Sequence, residues 1–489
     1  MADAFFVAFR FPNLFRRLFG EGAFNAAFIP LFAKKLEGEG PRTARAFAQD
    51  ALAGLLFVLL LVTAVCEMAM PWLMVVIAPG FADDTEKFDL AVLLTRIAFP
   101  YLLCMSLVAL LSGVLNALGR FFMAAAAPVA LNIVLIGVMV IALAAGFANE
   151  REAGILLAWG VALAGFVQLI MLAIAAFRAD MGLGLSRPRL TDDMRQLVRL
   201  GVPGVIAGGT TQINIVVGTM IASLQAGAVS YLYYADRLAQ LPLGIVGIAI
   251  GVVLLPDLAR KLRAGDTQAA SESQNRSLEF ALLLTLPATV ALAVAAHPLI
   301  QVLFERGAFT AEATPATALA LIATAAGLPA FVLIKVFSPA FFAREDTRTP
   351  MRFAVVSMLV NIAGSLALFF GFRALGFQPH VGIAIAGSVA GWINASLLGI
   401  TLARDGRLAP DARLWRAIPL IVLASGVMGL VLWALAAALG TAFAPTQGWL
   451  IQWGALAVLV AGGLAAYAIL IALTGVMTPR ALKAAMAGR

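Results

Sequence analysis

Charge is what this sequence has least of. Asp, Glu, Lys and Arg make up 12% of its 489 residues, about half of the roughly 25% usual in soluble domains. Hydrophobic residues reach 62% and the mean hydropathy is +0.97. That balance excludes a soluble globular protein, a disordered chain and a fibrous one. Cysteine is nearly absent: Cys66 and Cys104 stand far apart in apolar stretches, which excludes a disulfide or Cys–metal framework. Two histidines, His297 and His380, are too few for a His-rich metal site. No P-loop, HExxH, GxSxG or acidic loop motif occurs, which argues against ATP hydrolysis and the common hydrolase chemistries. The polar–apolar alternation of an outer-membrane barrel is also missing. What remains is an all-α polytopic membrane protein.

A transmembrane helix needs about 20 mainly apolar residues. Runs of that kind predict thirteen segments, near 3–33, 46–78, 90–118, 124–147, 153–177, 197–224, 229–256, 278–304, 316–342, 353–371, 381–402, 417–440 and 449–475. Alternate connections, with the C-terminal tail, hold 24 Lys and Arg, against 4 on the other side. The alternation is unbroken and places the C-terminus in the cytoplasm.

The chain also repeats itself. Phe28-Ile-Pro30-Leu-Phe-Ala-Lys-Lys-Leu36 resembles Leu254-Leu-Pro256-Asp-Leu-Ala-Arg-Lys-Leu262. Met70-Pro71 with Gly80 parallels His297-Pro298 with Gly307, Pro100 parallels Pro329, and Asn132-Ile133 parallels Asn361-Ile362. The offset stays at 226–229 residues. Such duplication is a mark of transporters whose substrate site lies between the halves. The segment at 197–224 has no earlier counterpart. Thirteen spans with a cytoplasmic C-terminus would put Met1 outside without a signal peptide. An additional N-terminal helix, encoded by an upstream in-frame start, is therefore expected.

Ionisable residues inside the membrane are functional candidates by default, normally facing a cavity or a partner. Pro12 removes a backbone donor and is expected to break the helix near Ala8. Beyond it, Asn13, Arg17 and Glu21 recur every four residues and share a face, so Arg17 and Glu21 can pair. Arg10 and Arg16 have no acidic residue one helical turn away. Either an anion from elsewhere or a tertiary salt bridge must answer them. In Tyr233-Tyr234-Ala235-Asp236-Arg237, Asp236 either pairs with Arg237 or leaves it to face a cavity, since adjacent residues point in different directions on a helix. Arg96 and Lys335 read as snorkelling side chains. Glu67 and Glu279 read as lone intramembrane acids, more readily hydrogen-bonded within the bundle than ion-coupling. Asn132, Asn361 and Asn394 read as helix glue, and Asp83-Asp84 as a solvated turn.

These residues carry a resemblance. The run Asp3-Ala-Phe-Phe-Val-Ala-Phe-Arg-Phe-Pro-Asn-Leu-Phe-Arg-Arg-Leu-Phe-Gly-Glu-Gly-Ala-Phe24 resembles the second helix of the bacterial lipid II flippases, the MurJ (MviN) family. So do Ala78-Pro-Gly-Phe81, Phe99-Pro-Tyr101, Tyr233-Tyr-Ala-Asp-Arg-Leu238 and Lys335-Val-Phe-Ser-Pro-Ala-Phe-Phe-Ala-Arg344, so that the likeness spans nearly the whole chain. It implies membership of the multidrug/oligosaccharidyl-lipid/polysaccharide exporter superfamily. The implied fold is two pseudo-symmetric helical lobes around a central cavity plus two C-terminal helices, with fourteen helices in the family against thirteen here. The implied domains are an N-terminal lobe at 1–180 lacking the family's first helix, a second lobe at 190–405, a lipid-tail groove at 413–475 and a cytoplasmic tail at 476–489.

The resemblance further implies a flippase that moves undecaprenyl-pyrophosphate-linked peptidoglycan precursor to the outer leaflet of the inner membrane by alternating access. Its substrate-binding residues would be Arg16 and Arg237, with Arg10, Asp3, Asn13 and Glu21. The family usually has Lys where Arg10 stands, and its first helix carries further cavity arginines. Lipid II, membrane lipids and other cell-wall synthesis proteins are the implied partners, with no nucleic acid. No cofactor, metal or catalytic residue is implied, and the membrane potential or a monovalent cation would supply coupling. The alternatives are a polysaccharide-precursor or drug exporter of the same superfamily, or a non-transporting membrane scaffold. A drug exporter for cations should carry an acidic cavity rather than an arginine-rich one.

Overall fold

The computed structural model describes residues 1–16, 23–147 and 151–476, with side chains described except at 14–16, 23–26, 202–211, 248–249 and 251–253. Eighteen α-helices cover most of these residues. By contacts they fall into two units, Met1–Ser230 and a second from Tyr231 onward.

The first unit contains α1 (Ala2–Arg16), α2 (Ala23–Gly38), α3 (Pro41–Met68), α4 (Met70–Ile77), α5 (Thr85–Ala98), α6 (Tyr101–Ala117), α7 (Phe121–Ala144), α8 (Arg151–Phe177) and α9 (Asp192–Ser223). The second contains nearly all of α10 (Ala228–Arg263), then α11 (Thr267–Val294), α12 (Ala296–Phe304), α13 (Ala313–Ala325) and α14 (Leu328–Phe342). It ends with α15 (Arg348–Ala374), α16 (Pro379–Arg404), α17 (Ala412–Ala438) and α18 (Trp449–Thr474).

The duplication read from short motifs is carried by whole helices. Pro41 and Thr267, Met70 and Ala296, Thr85 and Ala313, Tyr101 and Leu328, Phe121 and Arg348, and Arg151 and Pro379 each begin equivalent helices 226–228 residues apart. Of the prolines matched in that repeat, Pro30 and Pro256 lie inside α2 and α10, while others sit where helices restart. Pro71 and Pro329 occupy the first turns of α4 and α14, where a missing N–H costs nothing.

Ten stretches are long and apolar enough to cross a bilayer, α5–α6 and α13–α14 counting as one each. They account for ten of the thirteen expected segments. The other three, at 3–33, 197–224 and 229–256, fall on α1 and α2, α9 and α10, which include residues outside the description. The expected break at Pro12 does not interrupt α1. In a membrane helix, neighbouring groups can compensate for the lost bond.

Within the first unit α1 packs on α5, α6 and α8, and α2 on α3, α6 and α9. Phe28 stacks between Phe32 and Phe47, with ring centroids 5.6 and 5.5 Å away. The helix α9, assigned above to the second lobe, packs in the first unit against α2, α3 and α4. Its sequence order follows the repeat, but its contacts follow the polar groups described below. Asp84, read as part of a solvated turn, caps α5 by accepting from the Lys87 N–H at 3.0 Å.

In the second unit the helices are joined by small residues and by side chains bonded to carbonyls, as membrane bundles require. Ser388 Oγ donates to Ala323 O at 2.6 Å, Ser357 Oγ to Ala390 O at 2.8 Å, and Trp392 Nε1 to Ala326 O at 2.9 Å. At Gly382, an added Cβ would lie 2.8 Å from the Leu368 backbone, so α15 and α16 approach at a distance only glycine permits.

The supposedly lone Glu279 is paired. Arg276 Nη1 donates to its Oε2, and Arg413 Nη2 donates to its Oε1 at 3.0 Å. Arg276 Nη2 also donates to Asp411, which caps α17 by accepting from Leu414 N–H at 2.8 Å. This network ties α11 to α17. The Leu414 N–H, with Arg276 beside it, holds the Asp411 carboxyl below its ordinary value of 3.8. A carboxylate depressed on folding stabilises the fold above its unfolded pKa, and that contribution fades as pH falls through the lower folded value. Asp411→Asn should therefore lower the unfolding midpoint of the detergent-solubilised protein near neutrality. The gap from the unsubstituted protein should shrink below about pH 4. A gap constant across that range would mean that Asp411 acts by something other than its charge.

Candidate functional site

Four of the six expected substrate residues lie on α1: Asp3, Arg10, Asn13 and Arg16. Asp3 and Arg10 are seven residues apart, so they share one stripe of the helix. That stripe faces the end of α9 and the short connection to α10.

Asp3 is buried, and its carboxylate is filled by protein donors. Oδ2 accepts from Lys87 Nζ at 3.0 Å and from Gly227 N–H at 2.8 Å. Oδ1 accepts from Ser230 N–H at 3.0 Å and from Ser230 Oγ at 2.6 Å. A carboxylate offers about four acceptor positions, and four are used. Lys87 also lies 4.2 Å from the centroid of the Phe81 ring. Arg10 Nη1 donates to Thr219 Oγ1 at 3.4 Å, about one turn before the end of α9 at Ser223. Asp3 thus ties α1 to α5 and to the start of α10, and Arg10 ties it to α9.

The turn at Ala78-Pro-Gly-Phe81 closes the same corner. Gly80 N–H donates to Ser223 Oγ at 3.1 Å, and Ser223 Oγ donates to Met220 O at 2.7 Å. An added Cβ at Gly80 would stand 2.2 Å from the Ser223 carbonyl oxygen. Only glycine lets this turn seat on the end of α9. These contacts explain why α9 belongs to the first unit.

Asn13 turns back on its own helix, its Nδ2 donating to Phe9 O at 2.7 Å. Arg16 is the last residue of α1, and its side chain lies outside the described residues. Arg17 and Glu21 also lie outside them.

Arg237 stands on α10 in the second unit with its side chain exposed. Its guanidinium lies 4.9 Å from the Tyr233 ring centroid, and Nη2 donates to the Tyr233 hydroxyl at 2.5 Å. Asp236 accepts from the Gln240 amide one turn on, and among the described residues no carboxylate forms an ion pair with Arg237. The alternation inside the motif explains itself. Tyr234 packs on Phe304 and Phe309, with centroids 4.8 and 5.3 Å away. Ala235 and Leu238 join the core of α10, α12 and α13, which leaves Tyr233 and Arg237 together on the open side. The arrangement is an aromatic platform holding a planar cation, a form that suits a phosphate or carboxylate oxyanion.

Of the other membrane cations, Arg96 reaches the end of α3, Nε donating to Glu67 O at 3.3 Å. Lys335 lies against α10, its Nζ 2.6 Å from the Cβ position of Gly247. Sequence reasoning missed Lys87 and Ser230 as partners of Asp3. The one available signal was Lys87 itself, an exception to the charge bias of the loops.

A family model described as lipid II flippase MurJ matches residues 1–474. A probable lipid II flippase MurJ of Rhizobium tropici is 50% identical over 430 residues, covering 88% of this chain and 79% of that protein. The lipid II flippase MurJ of Burkholderia cenocepacia is 34% identical over 438 residues, covering 88% and 83%. Among solved structures, a lipid II flippase MurJ in an inward closed conformation superposes with a TM-score of 0.77 at 24% identity, over 96% of this chain and 92% of that one. An inward-facing multidrug MATE transporter superposes with a TM-score of 0.69 at 15% identity, over 83% and 93%. At these identities the two structures establish the fold alone.

Proposed function

This chain belongs to the lipid II flippase MurJ family, and from that premise we propose how it acts as one. It is a multi-pass protein of the bacterial inner membrane and a transporter rather than a hydrolytic enzyme. It moves undecaprenyl-pyrophosphate-linked peptidoglycan precursor from the cytoplasmic to the outer leaflet by alternating access. The observation that carries the chemistry is Arg237, exposed inside a membrane helix and clamped to Tyr233. A guanidinium so held presents its remaining N–H groups to a diphosphate without first having to be ordered. Arg16 serves as its counterpart in the first unit. Asp3 acts by holding α1, because its acceptor positions are already occupied.

The C-terminus is cytoplasmic, in keeping with the distribution of Lys and Arg. Transport consumes no nucleotide. The membrane potential, worth about 2.3 kcal/mol per charge per 100 mV, or a monovalent cation gradient, returns the carrier. Contacts with other cell-wall synthesis proteins are part of this reading.

Complementation tests it. In a cell depleted of its own lipid II flippase, this chain should restore growth. A version with Arg16→Ala and Arg237→Ala, made and inserted to the same level, should not. Full growth with both arginines removed would leave a membrane scaffold as the better account.

A further inference from the structure

The two halves of the repeat differ at one corner. In the first unit Phe28 on α2 stacks on Phe47 of α3 at 5.5 Å, and Phe47 is buried. Lys35 Nζ lies 5.9 Å from the centroid of the Phe47 ring. Aromatic rings fill that corner. The repeat offset of 226 residues carries Phe28, Lys35 and Phe47 onto Leu254, Lys261 and Ser273 of the second unit. The lysine is kept, and the phenylalanine beside it has become a serine. Leu31 and Asp50 likewise become Asp257 and Arg276. A cavity of about 380 Å³ stands there between α10 and α11, with Leu254, Asp257, Lys261, Glu272, Ser273 and Arg276 among its lining. That volume is in the range of small-ligand sites.

The polar groups hold one another but keep bonding capacity. Asp257 Oδ2 accepts from Lys261 Nζ at 2.7 Å and from Ser273 Oγ at 2.5 Å. Lys261 also donates to Ser273, so two of its three donors are engaged. Arg276 gives Nη1 to Glu279 and Nη2 to Asp411, two of five donors. The Glu272 carboxylate accepts, among the described residues, from the Gln268 amide alone, at 3.5 Å. The cavity therefore offers spare donors from two cations and spare acceptors from a carboxylate. That pattern suits a zwitterion, with an oxyanion against Lys261 and Arg276 and an ammonium against Glu272. A ligand carrying only negative charge would meet Glu272 and Asp257 as repulsion.

Depth indicates where the zwitterion comes from. The apolar run on α10 ends at Pro256, and that on α11 begins at Leu278. The charged lining therefore stands in the headgroup layer, just outside the hydrocarbon, with Leu254 on its apolar side. We propose that this cavity binds the headgroup of a phospholipid bearing a primary ammonium, phosphatidylethanolamine. Its phosphate rests on Lys261 and Arg276, its ammonium on Glu272, and its acyl chains leave past Leu254. The site is separate from the substrate-binding residues above and does not depend on lipid II movement.

Titration of the purified chain with short-chain phosphatidylethanolamine, phosphatidylglycerol and phosphatidylcholine, and with tail-less phosphoethanolamine, tests this by the heat of binding. Phosphatidylethanolamine should bind tightest. Phosphatidylcholine should be weaker, because its trimethylammonium has no N–H to give Glu272. Glu272→Gln should weaken phosphatidylethanolamine about tenfold, the size of one charge-assisted contact, and leave phosphatidylglycerol unchanged. Glu272→Lys should reverse the order of those two lipids. Ser273→Phe restores the ring of the first unit and should abolish binding. Without lipid, each variant should unfold at the midpoint of the unsubstituted protein, and if Ser273→Phe does not fold, the two Glu272 variants decide. Equal binding of the three lipids, or an order untouched by Glu272→Lys, overturns the site. Phosphoethanolamine binding as tightly as the lipid overturns the lipid as its occupant. Neither result touches the flippase reading, which complementation tests separately.

Discussion

Asp3→Ala should destabilise the first unit by about 3 kcal/mol, the lower end of the cost of breaking a buried ion pair. The lower end applies because the Lys87 side chain retains 19% exposure, against 7% for Asp3. The loss is more than one salt bridge. Removing the carboxylate strands the Lys87 ammonium, the N–H groups of Gly227 and Ser230, and the Ser230 hydroxyl. Asp3→Asn should do little better, since its amide would turn donors toward donors. The check is the thermal unfolding midpoint in detergent, which should fall by several degrees for both variants. Lys87→Met should then cost less in the Asp3→Ala background than in the unsubstituted protein, because the pair is already broken. If Asp3 instead contacts substrate, the midpoint should hold while lipid II movement is lost.

Much of the architecture was legible because membrane helices leave long apolar runs and a charge bias that needs no tertiary knowledge. The duplication was legible for a similar reason. A helix start accepts proline at no cost, and Pro71, Pro298 and Pro329 stand in the first turns of α4, α12 and α14. Side-chain partners were another matter. Asp3 meets residues 84 and 227 positions away, a pairing set by how α1, α5 and the α9–α10 connection pack, and no periodicity encodes it. Glu279 shows a different failure. Arg276 stands one turn before it, a separation at which helical residues meet. Starting the membrane segment at 278 left that arginine in a loop. The helix begins at Thr267, so hydropathy marked where the bilayer begins and missed where the helix does. At Tyr233–Arg237 the helical spacing already contained the answer. Four residues separate them, while Asp236 and Arg237 are adjacent and diverge.

That spacing sets the size of the effect at Arg237. Charge-assisted hydrogen bonds contribute about 1.5–3 kcal/mol each, so Arg237→Ala should slow lipid II movement by roughly 10- to 150-fold. Arg237→Lys keeps the charge but loses the planar fork and its stacking on the Tyr233 ring, so it should recover only part of that loss. Tyr233→Phe separates positioning from charge. It removes the hydroxyl that accepts from Nη2 at 2.5 Å but leaves the ring beneath the guanidinium, and a loss of about threefold to tenfold is expected, near one neutral hydrogen bond. Rates of lipid II appearance in the outer leaflet, at matched protein amounts, give the order unsubstituted, Tyr233→Phe, Arg237→Lys, Arg237→Ala. An Arg237→Lys variant as fast as the unsubstituted protein would show that a point charge suffices at this position and that the guanidinium plane is not what the substrate reads.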